Sequence, residues 1–182
     1  IELAEQFEAS PVPVREALLQ LAHLGLVVRV PDRGTTVTKL TRVEIEQMME
    51  VRRHLEQMAF QLAGSRITPD VEAALRAHIR RMEEAAAKND HFAMADEDFS
   101  FHRTVWKASG NEVLEKTLER LCIAVYAFVS LKRHAAGETL RSVVRSHKKL
   151  LTALLSSNAK TIRQGVDEHL VPDAVIPPSI AE

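Results

Sequence analysis

Apolar residues recur along this chain with two different textures, and the change falls near residue 40. In the first stretch, Leu3, Ala4 and Phe7 share one face of a short helix expected over Ile1–Glu8. Ser10 then offers an N-cap oxygen. Pro11 and Pro13 follow in the first turn of a second helix, where backbone N–H groups have no helical acceptor to lose. Val14, Ala17, Leu18, Leu21 and Leu24 keep helical spacing up to Gly25, a C-terminal stop. Leu26–Val30 and Thr35–Leu40 are β-branched runs around Pro31-Asp32-Arg33-Gly34, a turn-forming cluster. The expected order is helix, turn, helix, β-hairpin. From Thr41 onward the period is helical, and Thr41 with Glu44 three residues later forms a capping-box pattern. Six helices are expected, over 42–64, 69–88, 91–108, 111–134, 138–156 and 158–171. The breaks at Gly64-Ser65, Asn89-Asp90, Ser109-Gly110, Ala136-Gly137 and Ser156-Ser157-Asn158 are short, so successive helices should run antiparallel. The fold class is mainly α: a small unit over 1–40, an antiparallel all-α bundle over 41–171, and a Pro-rich tail over 172–182.

Three of the bundle stripes carry a histidine where an apolar residue is expected. Phe92, Ala95, Phe99, His102 and Trp106 follow steps of 3, 4, 3 and 4. Leu140, Val144, His147, Leu151 and Leu154 follow steps of 4, 3, 4 and 3, and Ile162, Val166 and His169 steps of 4 and 3. Asp98 lies four residues before His102, so its carboxylate reaches the same face one turn away. If the last two helices reverse at Asn158, His147 and His169 sit 11 residues to either side of it. Both then lie roughly 16 Å from that end of the bundle, at equal depth. Three neutral imidazoles and a carboxylate converging in a bundle suit a divalent transition metal. The competing reading is a set of separately hydrogen-bonded core histidines, which would bury four costly polar groups without a common partner. His78 also falls near a stripe (Val71, Leu75, Met82), but Ile79 can take that position. His23, His54, His91 and His134 fall off the stripes, as solvated or locally satisfied groups. Glu97 and Glu168 adjoin the candidate ligands but are each one residue off the face, as ordinary charged-face residues.

Composition narrows the classes. A chain of 182 residues that is 46% hydrophobic is not disordered, and a single cysteine, Cys122, excludes a disulfide scaffold and fits a reducing cytoplasm. No apolar run approaches the roughly 20 residues of a membrane span, and no signal peptide is present. The net charge of −1 argues against a generally basic nucleic-acid binder without excluding a local binding face. A metal-dependent hydrolase is a competing use of the histidine set. No HExxH motif is present, and a catalytic site would also need a positioned general base and substrate access. A helical dimerisation module without DNA binding is a third reading.

The run LAEQFEASPVPVREALLQLAHLGLVVRVPDRGTTV, Leu3–Val37, resembles the winged helix-turn-helix of GntR-type bacterial transcription regulators. VRRHLEQMAFQLA, DFSFH, SGN, SHKKLLTAL and DEHL resemble the FadR-like branch, whose all-helical effector domain is called FCD. A D-x-x-x-H with two later histidines 22 residues apart is specific to the metal-binding subset of that branch. The resemblance implies that Asp98, His102, His147 and His169 bind Zn, Ni or Mn, and that a small carboxylate effector rests on the metal. It further implies a cytoplasmic homodimer that binds double-stranded operator DNA, by family default a repressor, and no enzyme. The helix after Ser10 would enter the major groove, with Arg15 reaching a base or phosphate, and the wing at Arg33 and Gly34 would approach the minor groove. Arg52, or the adjacent Arg53, would meet the effector carboxylate, the alternative being an arginine paired with Glu56. Asn111 in the SGN turn reads as a helix cap. The family's first DNA-binding helix would lie before Ile1, so the winged domain is expected to be truncated. Two departures stand out: Pro11 replaces the usual Arg, and Asp32 the usual Gly. With Arg15, Arg29, Arg33 and Lys39 against Glu2, Glu5, Glu8, Glu16 and Asp32, residues 1–40 carry a net charge of −1. Few phosphate contacts and a modest, salt-dependent affinity are expected.

Overall fold

The computed structural model describes residues 2–31, 34–136 and 140–170, and of 129–136 the backbone alone. Asp32, Arg33, the His134 side chain, the turn at Gly137 and the tail 172–182 lie outside the described residues. The chain forms two compact units, Ile1–Lys39 and Leu40–Glu182.

The first unit contains α1 (Glu2–Gln6), α2 (Pro11–His23), β1 (Val27–Val30) and β2 (Gly34–Val37). The expected order holds, with shorter elements. α1 stops before Glu8, which adopts a left-handed φ of 49° that ends helical geometry. The strands pair antiparallel, Val27 opposite Val37 and Val30 opposite Gly34, so β1 has no partners left beyond Val37. Thr38 N–H still donates to the Leu26 carbonyl at 3.0 Å, closing the base of the hairpin. Ser10 occupies the N-cap position in extended geometry, but its side chain makes no capping hydrogen bond, contrary to the expectation from sequence. Gly34 has φ +86°, the reason a glycine suits this position.

The second unit contains α3 (Arg42–Gly64), α4 (Pro69–Lys88), α5 (His91–Ala108), α6 (Glu112–Ala136), α7 (Arg141–Leu155) and α8 (Ala159–His169). The first three match the expected spans because their caps are written in the sequence. Thr41 and Glu44 form the capping box, the Thr68 hydroxyl accepts from Val71 N–H, and Asp90 accepts from Phe92 and Ala93 N–H. Asn158 caps α8, and Asn111 caps the start of α6, the latter as read from sequence. α3 is central and packs against α5, α6, α7 and α8. Its Ile45, Met49, Phe60 and Ala63 join Leu75, Met82, Phe101, Val105, Leu150, Leu154 and Ile162 in the larger apolar cluster. Ala59 joins Trp106, Leu114, Leu118 and Cys122 in a second.

Two glycines let helices approach closely. A Cβ at Gly165 would come within 2.6 Å of Ala153 Cβ, and one at Gly64 within 2.7 Å of Ile162 Cδ1. The first contact sets the spacing of α7 against α8, the two helices that bear His147 and His169. On α5 the buried face is His91, Met94, Phe101, His102, Val105 and Trp106. Phe92, expected on the inward stripe, is 54% exposed, and His91, expected off it, is buried. The inward arc of α5 is thus rotated and wider than a single stripe, because α3, α4 and α6 all pack on this helix. Among the described residues, no helix is long and apolar enough to cross a membrane.

Candidate functional site

α5, α7 and α8 bring His102, His147 and His169 together, with their ligand-type nitrogens all within 4.8 Å of one another. The His147 and His169 ring centroids are 4.5 Å apart, as the equal-depth arithmetic requires. His102 and His147 are fully buried, whereas His169 is half-buried and the Asp98 side chain keeps 17% exposure. The cluster is closed at His102 and His147 and more open at His169 and Asp98.

Each ring is aimed by a bond at its far nitrogen. His102 Nδ1 lies 2.8 Å from Glu56 Oε2, His169 Nδ1 lies 2.7 Å from Ser146 Oγ, and His147 Nδ1 lies 2.9 Å from the Val143 carbonyl. A carbonyl only accepts, so His147 Nδ1 carries the proton and, in the neutral ring, Nε2 presents a lone pair. That Nε2 is buried without a hydrogen-bond partner, and 3.3 Å away lies Asp98 Oδ1, another acceptor. Only a proton or a cation between them makes this arrangement favourable. His102 Nε2 faces His169 Nε2 at 3.1 Å and Asp98 Oδ1 at 3.7 Å. Ligand bonds of 2.0–2.2 Å to one ion imply donor–donor separations of about 2.8–3.6 Å. Two of the three distances fall inside that range and the third just beyond it. The donor set of imidazole nitrogens and one carboxylate therefore fits a divalent transition ion in chemistry, with these three separations near ligand spacing and the histidine set as a whole spread over 4.8 Å.

Electrostatics favour the ligand-competent forms. Burial, with the His147 and His102 rings adding to it, holds the His169 imidazole well below the ordinary 6.5. Burial also lowers His102, outweighing the Glu56 carboxylate beside it. For Asp98, burial pushes upward but the surrounding His147, His102 and His169 prevail and hold it below the usual carboxylate range. Glu56 is likewise opposed by burial and still held down to about 2 by His102 and Arg52.

Tyr126 and Ser146 were not singled out from the sequence, and Glu56 was named only as a partner for Arg52, a pairing the structure shows. The signal for Glu56 was available: it follows Ile45, Met49 and Arg52 at steps of 4, 3 and 4 on a stripe that continues to Phe60 and Ala63. Arg52 is not a surface arginine. It is 4% exposed, its Nε donates to Glu56 Oε1 at 2.8 Å, and its Nη2 donates to Tyr126 Oη at 2.6 Å. The carboxylates next to the donors are engaged elsewhere, Glu97 with Arg81 and His78, and Glu168 with Gln164. His78 is part-buried and hydrogen-bonded to Glu97 while Ile79 is buried, as expected. The Cys122 thiol, pushed up to about 12 by burial, is packed among apolar groups as an inert thiol.

In the first unit, Arg15 is exposed on α2 and lines a shallow hollow of about 260 Å³ with Pro11, Leu18, Arg29, Gly34 and Thr35. Arg29, which the sequence reading only counted as charge, stands in the same hollow. Ser10 is exposed just before it, and Arg33 is outside the described residues.

Residues 47–171 match the FCD domain family, and residues 1–37 match the bacterial regulatory proteins of the gntR family. The chain belongs to the GntR family and carries an FCD domain, as the sequence resemblance implied. It is 28% identical over 170 residues to a probable D-xylose utilization operon transcriptional repressor of Paenarthrobacter nicotinovorans, covering 93% of this chain and 74% of the relative. It is 26% identical over 167 residues to the HTH-type transcriptional regulator McbR of Escherichia coli K12, covering 91% and 76%. The solved structure of E. coli McbR/YncC superposes with a TM-score of 0.81 at 26% identity, over 93% of this chain and 80% of that one. The protein is a DNA-binding transcriptional regulator, and its relatives are regulators rather than enzymes.

Proposed function

We propose that this protein is a transcriptional repressor controlled by a small organic acid, which binds at a divalent metal held by Asp98, His102, His147 and His169. The observation that carries the reading is the buried His147 Nε2, a lone pair without a hydrogen-bond donor, aimed at the Asp98 carboxylate. When bound, the ion (Zn, Ni or Mn) supplies positive charge and an open coordination position for a carboxylate oxygen. The protein's own groups do the rest. Val143 and Glu56 keep the Nδ1 protons of His147 and His102 turned away from the cluster, and Asp98 supplies the anionic donor. The exposure retained by Asp98 and His169 gives the effector its approach.

The DNA-reading face is α2 with Ser10 and Arg15, and the hairpin with Gly34, together with Arg33, its neighbour in sequence. The Ser10 hydroxyl, uncommitted to a cap, is available to a phosphate, and the open space around Gly34 lets the backbone approach the duplex. The working form is a cytoplasmic homodimer whose two-fold axis matches a palindromic operator. Regulation requires that the effector bind the DNA-competent and DNA-incompetent arrangements with different affinity.

The test uses a duplex selected by this protein from random oligonucleotides. Fluorescence anisotropy then follows its release as a panel of small mono- and dicarboxylates is added to metal-loaded and chelator-treated protein. Release by at least one carboxylate from the metal-loaded protein alone is expected. No selected sequence, or release indifferent to metal, overturns the reading.

A further inference from the structure

The donor cluster is supported by a closed ring of contacts running through one buried arginine. From Arg52 one arm goes to Glu56 Oε1 at 2.8 Å and on from Glu56 Oε2 to His102 Nδ1 at 2.8 Å. The other goes to Tyr126 Oη at 2.6 Å and on to Asp98 Oδ1 at 2.7 Å. The ring closes where His102 Nε2 and Asp98 Oδ1 face each other at 3.7 Å. The guanidinium also lies over the Tyr126 ring, 4.8 Å from its centroid.

The direction of every bond in this ring follows from Arg52. A guanidinium has five donors and no acceptor. Tyr126 Oη must accept from Arg52, so its single proton goes to Asp98, which then stands as an ionised, oriented acceptor. Glu56 must accept at Oε1, and the adjacent positive charge keeps it a carboxylate. It therefore accepts at Oε2 as well, and His102 Nδ1 must carry the proton. The His102 lone pair is left on Nε2, pointing into the cluster. Removing the arginine leaves the Glu56 carboxylate and the Tyr126 hydroxyl without the donor that orients them, so His102 Nδ1 and Asp98 Oδ1 lose the partners that fix their direction.

We infer that Arg52 is a positioning residue of the metal site, whose planar fork sets the His102 tautomer through Glu56 and the Asp98 carboxylate through Tyr126, rather than a clamp for the effector. This inference rests on the metal reading given above. Lysine is not a substitute, because a single ammonium lacks the planar fork that serves two acceptors at fixed angles.

The test compares wild type, Arg52→Lys and Tyr126→Phe as full chains, stripped with chelator and titrated with Co²⁺ alone. Visible absorption reports affinity and coordination, and long-range ¹H–¹⁵N NMR of the metal-free protein reads the His102 tautomer. Wild type should bind Co²⁺ with Nδ1 protonated in the free form. Each variant should lose about 10- to 100-fold in Co²⁺ affinity with an altered spectrum, as when supporting partners of metal ligands are removed. Arg52→Lys should also show mixed tautomers. Tyr126→Phe deletes one hydroxyl and decides the matter if Arg52→Lys does not fold. Variants that match wild type within threefold, with the same spectrum and tautomer, overturn the inference while leaving the metal reading intact. So does an Arg52→Lys protein that binds Co²⁺ normally but loses its response to carboxylates. A wild type that takes up no Co²⁺ overturns the metal reading and this inference with it.

Discussion

In the first unit the one buried residue among those described is Ala4, while Leu3, Phe7, Val12, Leu19, Leu21, Val28 and Val37 are each 36% exposed or more. In the helical unit Trp106, Phe60, Phe101, Leu118 and Leu154 are sealed from solvent, and Arg52, Glu56, His102 and His147 are buried with them. One unit carries its chemistry on its surface, the other inside its core. Surface groups can be lost without unfolding the unit that bears them. Core polar groups cannot, because burying them is tolerated only while each keeps its partner. Function and stability should therefore separate in the first unit and move together in the second.

The largest effect is expected from Trp106→Ala, which empties a fully buried site and should cost about 3–5 kcal/mol. Phe7→Ala, at a residue 70% exposed, should change stability by no more than about 0.5 kcal/mol. Urea unfolding of the two variants checks the contrast, and equal costs would break it.

Next comes Gly165→Ala. Alanine raises helix propensity by about 1 kcal/mol, but its Cβ would meet Ala153 Cβ, a point with no flexible end to swing aside. Overpacking of about 1–3 kcal/mol should win. α7 and α8 are forced apart, and metal affinity should fall along with the melting temperature. A stabilised variant with unchanged metal binding would show that this spacing does not matter to the site.

Arg15→Ala should weaken operator binding by about 1–3 kcal/mol if the guanidinium reads a base. The melting temperature should stay where it was, since Arg15 is exposed on α2. Anisotropy and calorimetry on one sample test both halves, and a coupled loss would contradict the separation.

The smallest change is a slope. In metal-free protein His102 and His169 titrate below their ordinary 6.5, so under that pH the unfolded chain binds protons that the folded chain refuses. Stability should begin to fall as pH drops through 6.5. It should fall further below 4.5, where Glu56, held at about 2, and the similarly lowered Asp98 remain ionised only in the folded state. Urea midpoints from pH 8 to 5 should decline toward acid, whereas a flat or rising curve would mean that the imidazoles are not held neutral.

The helix spans were legible because Thr41 with Glu44, Thr68 with Pro69, and Asp90 are local signals that satisfy the orphan N–H groups of a first turn. Meeting of His147 and His169 was legible as turn arithmetic. Phe92 and His91 were misassigned because a helix packed on several sides buries an arc wider than one stripe. Tyr126 was not recognised, and Glu56 only as a partner for Arg52, because their contacts to Asp98 and His102 run across 28 and 46 residues and periodicity places a residue on a face without naming its partner. Arg52 was placed on the right helix, but only the contacts showed both of its arms already engaged.

The central claim is that the buried histidine core holds a divalent metal, and elemental analysis of tag-free protein tests it most directly. Wild type should carry or take up about one equivalent of Zn, Ni or Mn per chain, as a four-donor site of this kind holds one ion. Its melting temperature should rise with metal, and both properties should vanish in His147→Ala. A wild type that takes up none of these ions at micromolar concentration and melts at the same temperature with and without them would contradict the account.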